Sequence, residues 1–149
     1  MAKPASKHEL SIMRVFDAPV SLVFKVWATP EHRVRWWGPK DFTCPLSEAD
    51  FRRCGSWRAI IRSPDGKEYP ARGVYAEIVE NRRIVFSFAW EEDGERGNDT
   101  LISVSFEDIA GKTRLTFHQA FFDTVETRDS HNEGWTECVE RLGAYASAL

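Results

Sequence analysis

The sequence is poor in the residues from which metal sites and disulfide frameworks are built. It contains three cysteines and four histidines among 149 residues. They form no Cys-x-x-Cys, His-x-His or His-Glu-x-x-His motif. Because transition metals are held by clustered Cys, His and carboxylate side chains, we predict no metal site and no cofactor. Three unclustered cysteines are also typical of a reducing compartment.

Long apolar segments and an excess of positive charge are also absent. No segment approaches the roughly 20 apolar residues of a membrane-spanning helix, and residues 1–7 lack the apolar centre of an export signal. The 20 basic and 23 acidic residues give a formal net charge of −3, whereas nucleic-acid binding relies on a basic surface. We therefore expect a soluble, cytoplasmic protein that binds neither membranes nor nucleic acid.

Aromatic residues, in contrast, are plentiful. The chain contains ten Phe, six Trp and three Tyr, and aromatic rings bury a large area each. A chain of this length buries roughly 68% of its unfolded surface, which suffices for a core without disulfides or metals. We predict one domain over residues 8–149, preceded by a flexible tail over residues 1–7.

The hydrophobic periodicity predicts an α+β fold. Helical spacing predicts two short helices between the first two strands, at 19–28 and from Thr29 to the Trp36-Trp37-Gly38-Pro39 stop signal. From residue 42 the period becomes two, as in strands. Together with a first strand, the predicted strands span residues 10–16, 42–51, 55–62, 69–79, 83–90, 101–106 and 113–121. A polar loop with Gly94 and Gly97 follows the fifth strand. Seven strands without crossover helices indicate an antiparallel sheet.

The last segment predicts a long amphipathic helix. Its apolar stripe consists of Trp135, Cys138, Val139, Leu142, Tyr145 and Ala146. We place its start near His131, where Ser130 and Glu133 match a capping box, with an earlier start near Thr124 as the alternative. Gly134 lowers helix stability by roughly 1 kcal/mol. We interpret this glycine as a sign that the helix passes close to another backbone segment here.

The helix must bury its stripe on one face of the sheet, and a sheet of seven strands twists and curls. The concave space between sheet and helix is where we expect a ligand. The predicted cavity residues are Trp37, Trp57, Ile61, Tyr75, Glu77, Phe86, Phe88, Phe117, Gln119, Trp135, Val139 and Leu142. Alternation also places Phe121 on this inner face. In a second interpretation, the same rings simply fill the core.

Two further hypotheses concern chemistry and partners. We assign no catalytic residue, although Glu77, Tyr75 or His118 could exchange a proton with a ligand in the cavity. If both were exposed, Trp36 and Trp37 would form a partner-binding or membrane-edge patch. We expect instead that one is buried and the other closes the cavity mouth.

Several motifs resemble a known superfamily. They are Val15-Phe16-Asp17-Ala18-Pro19, Val23-Phe24-Lys25-Val26-Trp27, Trp36-Trp37-Gly38-Pro39, Arg53-Cys54-Gly55-Ser56-Trp57, Pro64-Asp65-Gly66, Gly73-Val74-Tyr75 and His131-Asn132-Glu133-Gly134-Trp135. In this order they resemble the SRPBCC (START / Bet v 1-like) superfamily, in the branch named for the C-terminal domain of the heat-shock protein 90 ATPase activator. The resemblance implies a helix-grip fold with an apolar cavity. The chain departs from the pattern at Cys54, where Gly is common, and at Ala59, where a larger residue is usual.

The resemblance leaves three functions open, because its members include lipid carriers, polyketide cyclases and co-chaperone domains. The first, which we favour, is binding of a small hydrophobic or amphipathic molecule between sheet and helix. The second is a cyclase- or hydrolase-type enzyme that uses the same cavity. The third is a co-chaperone-like interaction domain, with a chaperone or a second copy of the chain in a homodimer as partner.

Overall fold

Seven antiparallel strands form a curved sheet around a long C-terminal helix. The structure is a computed structural model that describes residues 8–92 and 95–149, with the backbone alone at residues 92, 95 and 96. The main strands are β1 Glu9–Phe16, β2 Thr43–Ala49, β3 Ser56–Arg62, β4 Glu68–Val79, β5 Arg83–Glu92, β7 Thr100–Ile109 and β8 Lys112–Ala120. A two-residue strand, β6 Glu95–Arg96, pairs only with β5. The tail predicted over residues 1–7, and Gly94 of the predicted loop, lie outside the described residues.

The strand order is β1-β8-β7-β5-β4-β3-β2, with every neighbouring pair antiparallel. The predicted antiparallel sheet is thus confirmed. Pro45 explains the irregular edge strand β2, whose register shifts between Thr43 and Leu46, because proline cannot donate a ladder hydrogen bond. β8 ends at Ala120, so the expected inward placement of Phe121 is wrong. Phe121 has a φ of 74° and is 67% exposed.

Two short helices connect β1 to β2, as predicted. They are α1 Val20–Ala28, which starts after Pro19, and α2 Pro30–Arg33. Pro30 suits the first turn of α2 because its missing N–H has no partner there in any case. α1 buries Val23, Val26 and Trp27 against the sheet and α3. The apolar residues that repeat at helical spacing are thus those that pack into the core.

The C-terminal helix α3 spans Val125–Ser147. Its N-cap is Thr124, whose side chain accepts a hydrogen bond of 3.1 Å from the Thr127 N–H. The helix therefore begins six residues before His131. The earlier start near Thr124 is confirmed, and the Ser130–Glu133 capping box is wrong. The side-chain hydroxyl of an N-cap residue accepts a hydrogen bond from an otherwise unpaired N–H of the first helical turn. Thr124, which has an extended backbone, occupies this position. No helix in residues 8–92 and 95–149 is long and apolar enough to cross a membrane.

The two glycines of α3 have different surroundings. A Cβ built on Gly143 would lie 2.5 Å from the Phe16 ring, so this glycine permits a close approach. A Cβ on Gly134 would meet only Pro39 Cγ at 3.6 Å, an ordinary van der Waals distance. The expectation that Gly134 marks a close approach to another backbone is therefore wrong.

Buried hydrophobic side chains from the sheet and helices α1 and α3 form one continuous cluster. Its centre is densely filled. The side chains of Phe117, Leu115, Val139 and Leu142 have no exposed surface, and the Phe117 ring lies 4.5 Å from that of Trp135. The middle of the space between sheet and helix is therefore core, which leaves room for a ligand only toward its ends.

Candidate functional site

A cavity of about 330 Å³ lies at one end of the concave face, under the N-terminal half of α3. It is lined by Trp37, Gly38, Pro39, Phe42, Ile61, Tyr69, Phe88, Trp90, Ser130, His131, Gly134, Trp135 and Cys138. Six of the thirteen are Trp, Phe or Tyr, and none is Asp, Glu, Lys or Arg. Such a space favours an uncharged, largely apolar occupant.

Strand alternation supplies the floor of the cavity. Ile61 from β3, Tyr69 from β4 and Phe88 with Trp90 from β5 point to the same side of the sheet. The helical period of α3 places His131 one turn before Trp135 on the facing side. The floor and roof of the cavity are therefore regular secondary structure, which holds the lining in place.

The remaining wall, residues 37–42, is a loop that is bonded to α3. Arg141 Nη1 donates to the carbonyl oxygens of Gly38 at 2.8 Å and Pro39 at 2.9 Å. The Gly38 N–H donates to Cys138 Sγ at 3.4 Å. The rings of Trp37 and Trp135 also meet edge to face, with centroids 5.3 Å apart. These contacts hold the loop against the helix and keep the cavity preformed.

His131 is the central polar group of the cavity. Its Nε2 accepts a hydrogen bond of 2.9 Å from the indole N–H of Trp90. Because Nε2 accepts, Nδ1 carries the proton and donates to Gln119 Oε1 at 3.2 Å. Gln119 in turn donates to Thr100 Oγ1 at 2.8 Å, and Thr100 donates to the Phe88 carbonyl at 2.9 Å. The chain of bonds therefore fixes a neutral tautomer of the imidazole.

Burial lowers the pKa of His131 to about 4. Its surroundings are aromatic, since the rings of Phe122, Phe88 and Trp90 have centroids 5.0, 5.7 and 5.8 Å from the imidazole. Charging the imidazole there would remove its hydration without supplying a counter-ion. At neutral pH the cavity therefore carries no charge.

Four of the twelve predicted cavity residues line this space, namely Trp37, Ile61, Phe88 and Trp135. Seven others are buried in the packed core and do not line it: Trp57, Tyr75, Phe86, Phe117, Gln119, Val139 and Leu142. Six of the seven belong to the hydrophobic core cluster, and Gln119 is a buried polar side chain. Gln119 acts on the cavity indirectly, through its bond to His131.

The placement of Glu77 in the cavity is wrong. The register of β4 shifts between Tyr75 and Glu77, so that Tyr75 pairs with Phe86 but Glu77 pairs with Val85. This bulge turns Glu77 away from the inner face. Its carboxylate is half exposed and forms an ion pair of 3.2 Å with Arg83.

The three candidates for proton transfer, Glu77, Tyr75 and His118, do not lie together in the cavity. Tyr75 Oη accepts a hydrogen bond of 2.8 Å from Arg33 in the core. His118 lies 3.3 Å from Glu9, and, like Glu77, it is absent from the cavity lining. No group of three or more metal-ligating side chains occurs in the described part of the chain.

His131, Trp90, Tyr69 and Phe42 are cavity residues that sequence reasoning missed. The late helix start hid His131, because it placed this residue at a helix end rather than on the stripe. With Thr124 as the cap, the positions 131, 135, 138 and 142 follow the helical period and mark the buried face. Both adjacent tryptophans are buried: Trp36 is fully enclosed and Trp37 lines the cavity.

A family model described as "Activator of Hsp90 ATPase homolog 1-like protein" matches residues 17–147. The chain belongs to this family. The resemblance to the activator branch of the SRPBCC superfamily is thereby confirmed. No curated protein matches the chain, so the family membership identifies ancestry and fold without naming an activity.

Solved structures of similar proteins share the fold. A protein from Arthrobacter aurescens matches with a TM-score of 0.87 at 23% identity, over 99% of this chain and 91% of that chain. A protein from Chromobacterium violaceum gives 0.86 at 20% identity, over 94% and 98%. The AHSA1 protein of Silicibacter pomeroyi gives 0.82 at 25% identity, over 91% and 95%. The helix-grip architecture is thus common to proteins of distant sequence.

Proposed function

We propose that this protein binds a small, uncharged and largely apolar molecule in the cavity under the N-terminal half of α3. The observation that carries the proposal is the preformed aromatic cavity of about 330 Å³, which lies beside fully buried core side chains such as Phe117 and Leu142. This volume lies at the lower end of the range of known ligand sites. The occupant is therefore compact, on the scale of one or two fused rings.

Gly134 supports the use of this space. A glycine inside a helix lowers stability by roughly 1 kcal/mol relative to alanine. The surroundings of Gly134 give no steric reason for the missing side chain, since a Cβ would fit. What the glycine does provide is room, because it lies in the cavity lining.

The cavity also offers a few polar contacts at its edge. The hydroxyls of Tyr69 and Ser130 make no hydrogen bond to other residues that the structure describes. They are available to a hydroxyl or carbonyl group of the ligand. His131, in contrast, already has a partner on each ring nitrogen. The expected ligand is therefore an apolar body with one polar group.

The test is a titration with N-phenyl-1-naphthylamine, an uncharged apolar probe whose fluorescence rises in an apolar site. The variant Gly134→Leu puts an isobutyl group into the cavity, whereas Ala144→Leu adds one on the exposed side of the same helix. We expect saturable binding by the wild type and by Ala144→Leu. We expect at least tenfold weaker binding by Gly134→Leu, because the filled cavity excludes the probe.

Two results would refute the proposal. One is a wild-type protein that takes up no probe and carries no small molecule in native mass spectrometry. The other is equal probe affinity in Gly134→Leu and Ala144→Leu. A circular dichroism spectrum of each variant serves as the control for folding.

The cellular setting of this activity is part of the same proposal, and the thiols support it. Cys44, Cys54 and Cys138 are free, which suits a reducing environment. We place the protein in the cytoplasm, with a small hydrophobic molecule as its partner.

A further inference from the structure

Arg33 is a buried cation that the protein itself only partly satisfies. Its side chain lies in the core, and the residue is 4% exposed. Nη1 donates a hydrogen bond of 2.8 Å to Tyr75 Oη. Nε and Nη2 are enclosed and reach no acceptor in the described residues. Since buried charges without hydrogen-bond partners destabilise a fold, these two donors need acceptor atoms.

No neighbouring group neutralises Arg33. Within the described ranges, no carboxylate lies within 4.0 Å of its guanidinium. Burial raises the pKa of the nearby Cys44 thiol to about 11, and its S–H donates to the Leu46 carbonyl at 3.1 Å. Burial also raises the pKa of the Tyr75 phenol. Both groups are therefore neutral at physiological pH, and the positive charge stays without a counter-ion.

Three donor groups of this cluster have no acceptor in the described residues, namely Arg33 Nε, Arg33 Nη2 and the Tyr75 O–H. Because a guanidinium can only donate, Tyr75 Oη accepts from Arg33 and has its own O–H free to donate. No acceptor for this O–H is found in the part of the chain that the structure describes. A group that accepts several hydrogen bonds would satisfy these donors, and a negative charge on it would neutralise the cation.

The geometry of the free donors is also informative. Nε and Nη2 form one edge of the planar guanidinium, the edge on which a carboxylate binds with two parallel hydrogen bonds. Two aromatic rings flank Tyr75, since the centroids of Phe51 and Phe86 lie 5.1 and 6.0 Å from that of Tyr75. In such surroundings water competes weakly for the cation.

We propose that Arg33 and Tyr75 form a binding site for a small monovalent anion, either a free halide or the carboxylate of an organic molecule. Neither residue lines the cavity described above, so this site is separate from the proposed ligand cavity. Its failure would leave the function proposed for that cavity untouched.

The first experiment measures the unfolding midpoint against the concentration of sodium bromide, and separately of sodium acetate. A bulky sulfonate salt keeps the ionic strength constant. For the wild type we expect a saturable rise of about 3 °C when the anion exceeds its dissociation constant roughly tenfold. A response to bromide indicates a halide site, and a response to acetate alone indicates a carboxylate site.

Two variants identify the residue responsible. Arg33→Met keeps much of the side-chain length but removes the charge, and it should abolish the rise. Arg35→Met removes an exposed arginine two positions away and should respond like the wild type. The proposal is overturned if the wild type shows no saturable rise, or if Arg33→Met keeps it.

A second measurement does not depend on the folding of Arg33→Met. Crystals of the wild-type protein soaked in bromide should show an anomalous peak within hydrogen-bond distance of Arg33 Nε and Nη2. Crystals soaked in acetate should show a planar group on the same edge. Absence of both would overturn the proposal and indicate that water satisfies the donors.

Discussion

Replacing Gly134 by alanine should stabilise the protein, whereas the same change at Gly143, nine residues further along α3, should destabilise it. Both glycines lie inside the helix, so both substitutions gain roughly 0.8–1 kcal/mol from helix propensity and the reduced entropy of the unfolded chain. Only the space around the new Cβ differs. The pair therefore isolates packing from propensity.

The magnitudes follow from the distances. At Gly134 the new Cβ lies 3.6 Å from Pro39 Cγ, a contact without repulsion, so we expect a net gain of about 0.8 kcal/mol and a rise in the melting temperature of about 2–3 °C. At Gly143 it lies 2.5 and 2.6 Å from two carbons of the Phe16 ring. Overpacking of this kind costs roughly 1–3 kcal/mol. Over most of this range the cost exceeds the gain from helix propensity, so the net effect is destabilising.

The assay is urea unfolding followed by circular dichroism, with calorimetry for the melting temperatures. The two variants should shift the unfolding free energy in opposite directions. Equal shifts of the same sign would refute the reasoning, because they would mean that the Phe16 ring moves aside at no cost or that Gly134 is more crowded than its distances indicate.

Three further predictions concern the cavity, the helix start and the sheet. Burial lowers the pKa of His131 from 6.5 to about 4, so the unfolded chain takes up a proton between these pH values while the folded protein does not. Buried, neutral His131 therefore contributes to the free energy of unfolding above pH 6.5. The wild type loses up to about 3 kcal/mol of this stability as the pH falls toward 4. Urea unfolding should show the stability advantage over His131→Gln shrinking across that window, and a constant difference would contradict the assignment. Thr124→Ala should lower the free energy of unfolding by about 1 kcal/mol, but Ser130→Ala by less than about 0.5 kcal/mol; the reverse order would restore the later helix start. Glu77→Gln removes an exposed ion pair and should change stability by less than about 1 kcal/mol. It should leave probe affinity unaltered in fluorescence titrations, and a large loss of affinity would place Glu77 in the cavity after all.

The elements of this fold were predictable because each has a clear local signal. Alternation along β3 and β5 identified the buried residues Trp57, Ile61, Phe86 and Phe88. Their burial depends on a period of two, which any sheet with one covered face imposes. A proline such as Pro45 is likewise typical of an edge strand or a bulge. Such features are properties of a few neighbouring residues, and no knowledge of the rest of the chain is needed to predict them.

The errors arose where one residue changes the register. The bulge after Tyr75 moved Glu77 to the solvent-exposed side, and nothing in the local sequence distinguishes this strand from a regular one. At the helix start, Ser130 and Thr124 both match cap positions, and the choice depends on how the preceding strand ends. Arg33 illustrates the same limit, because a charged residue in a short polar helix gives no sign that the core will enclose it.

The sequence by itself determined the order of strands and helices, the aromatic inner face and the family resemblance, because these depend on periodicity and residue type. Only the tertiary structure decided which aromatic residues fill the core and which border a cavity. That distinction depends on distances of a few ångströms between side chains far apart in the sequence, such as Trp37 and Trp135, or Trp90 and His131. Close packing leaves space only where opposing side chains fail to meet, and this is settled when the helix and the sheet come together.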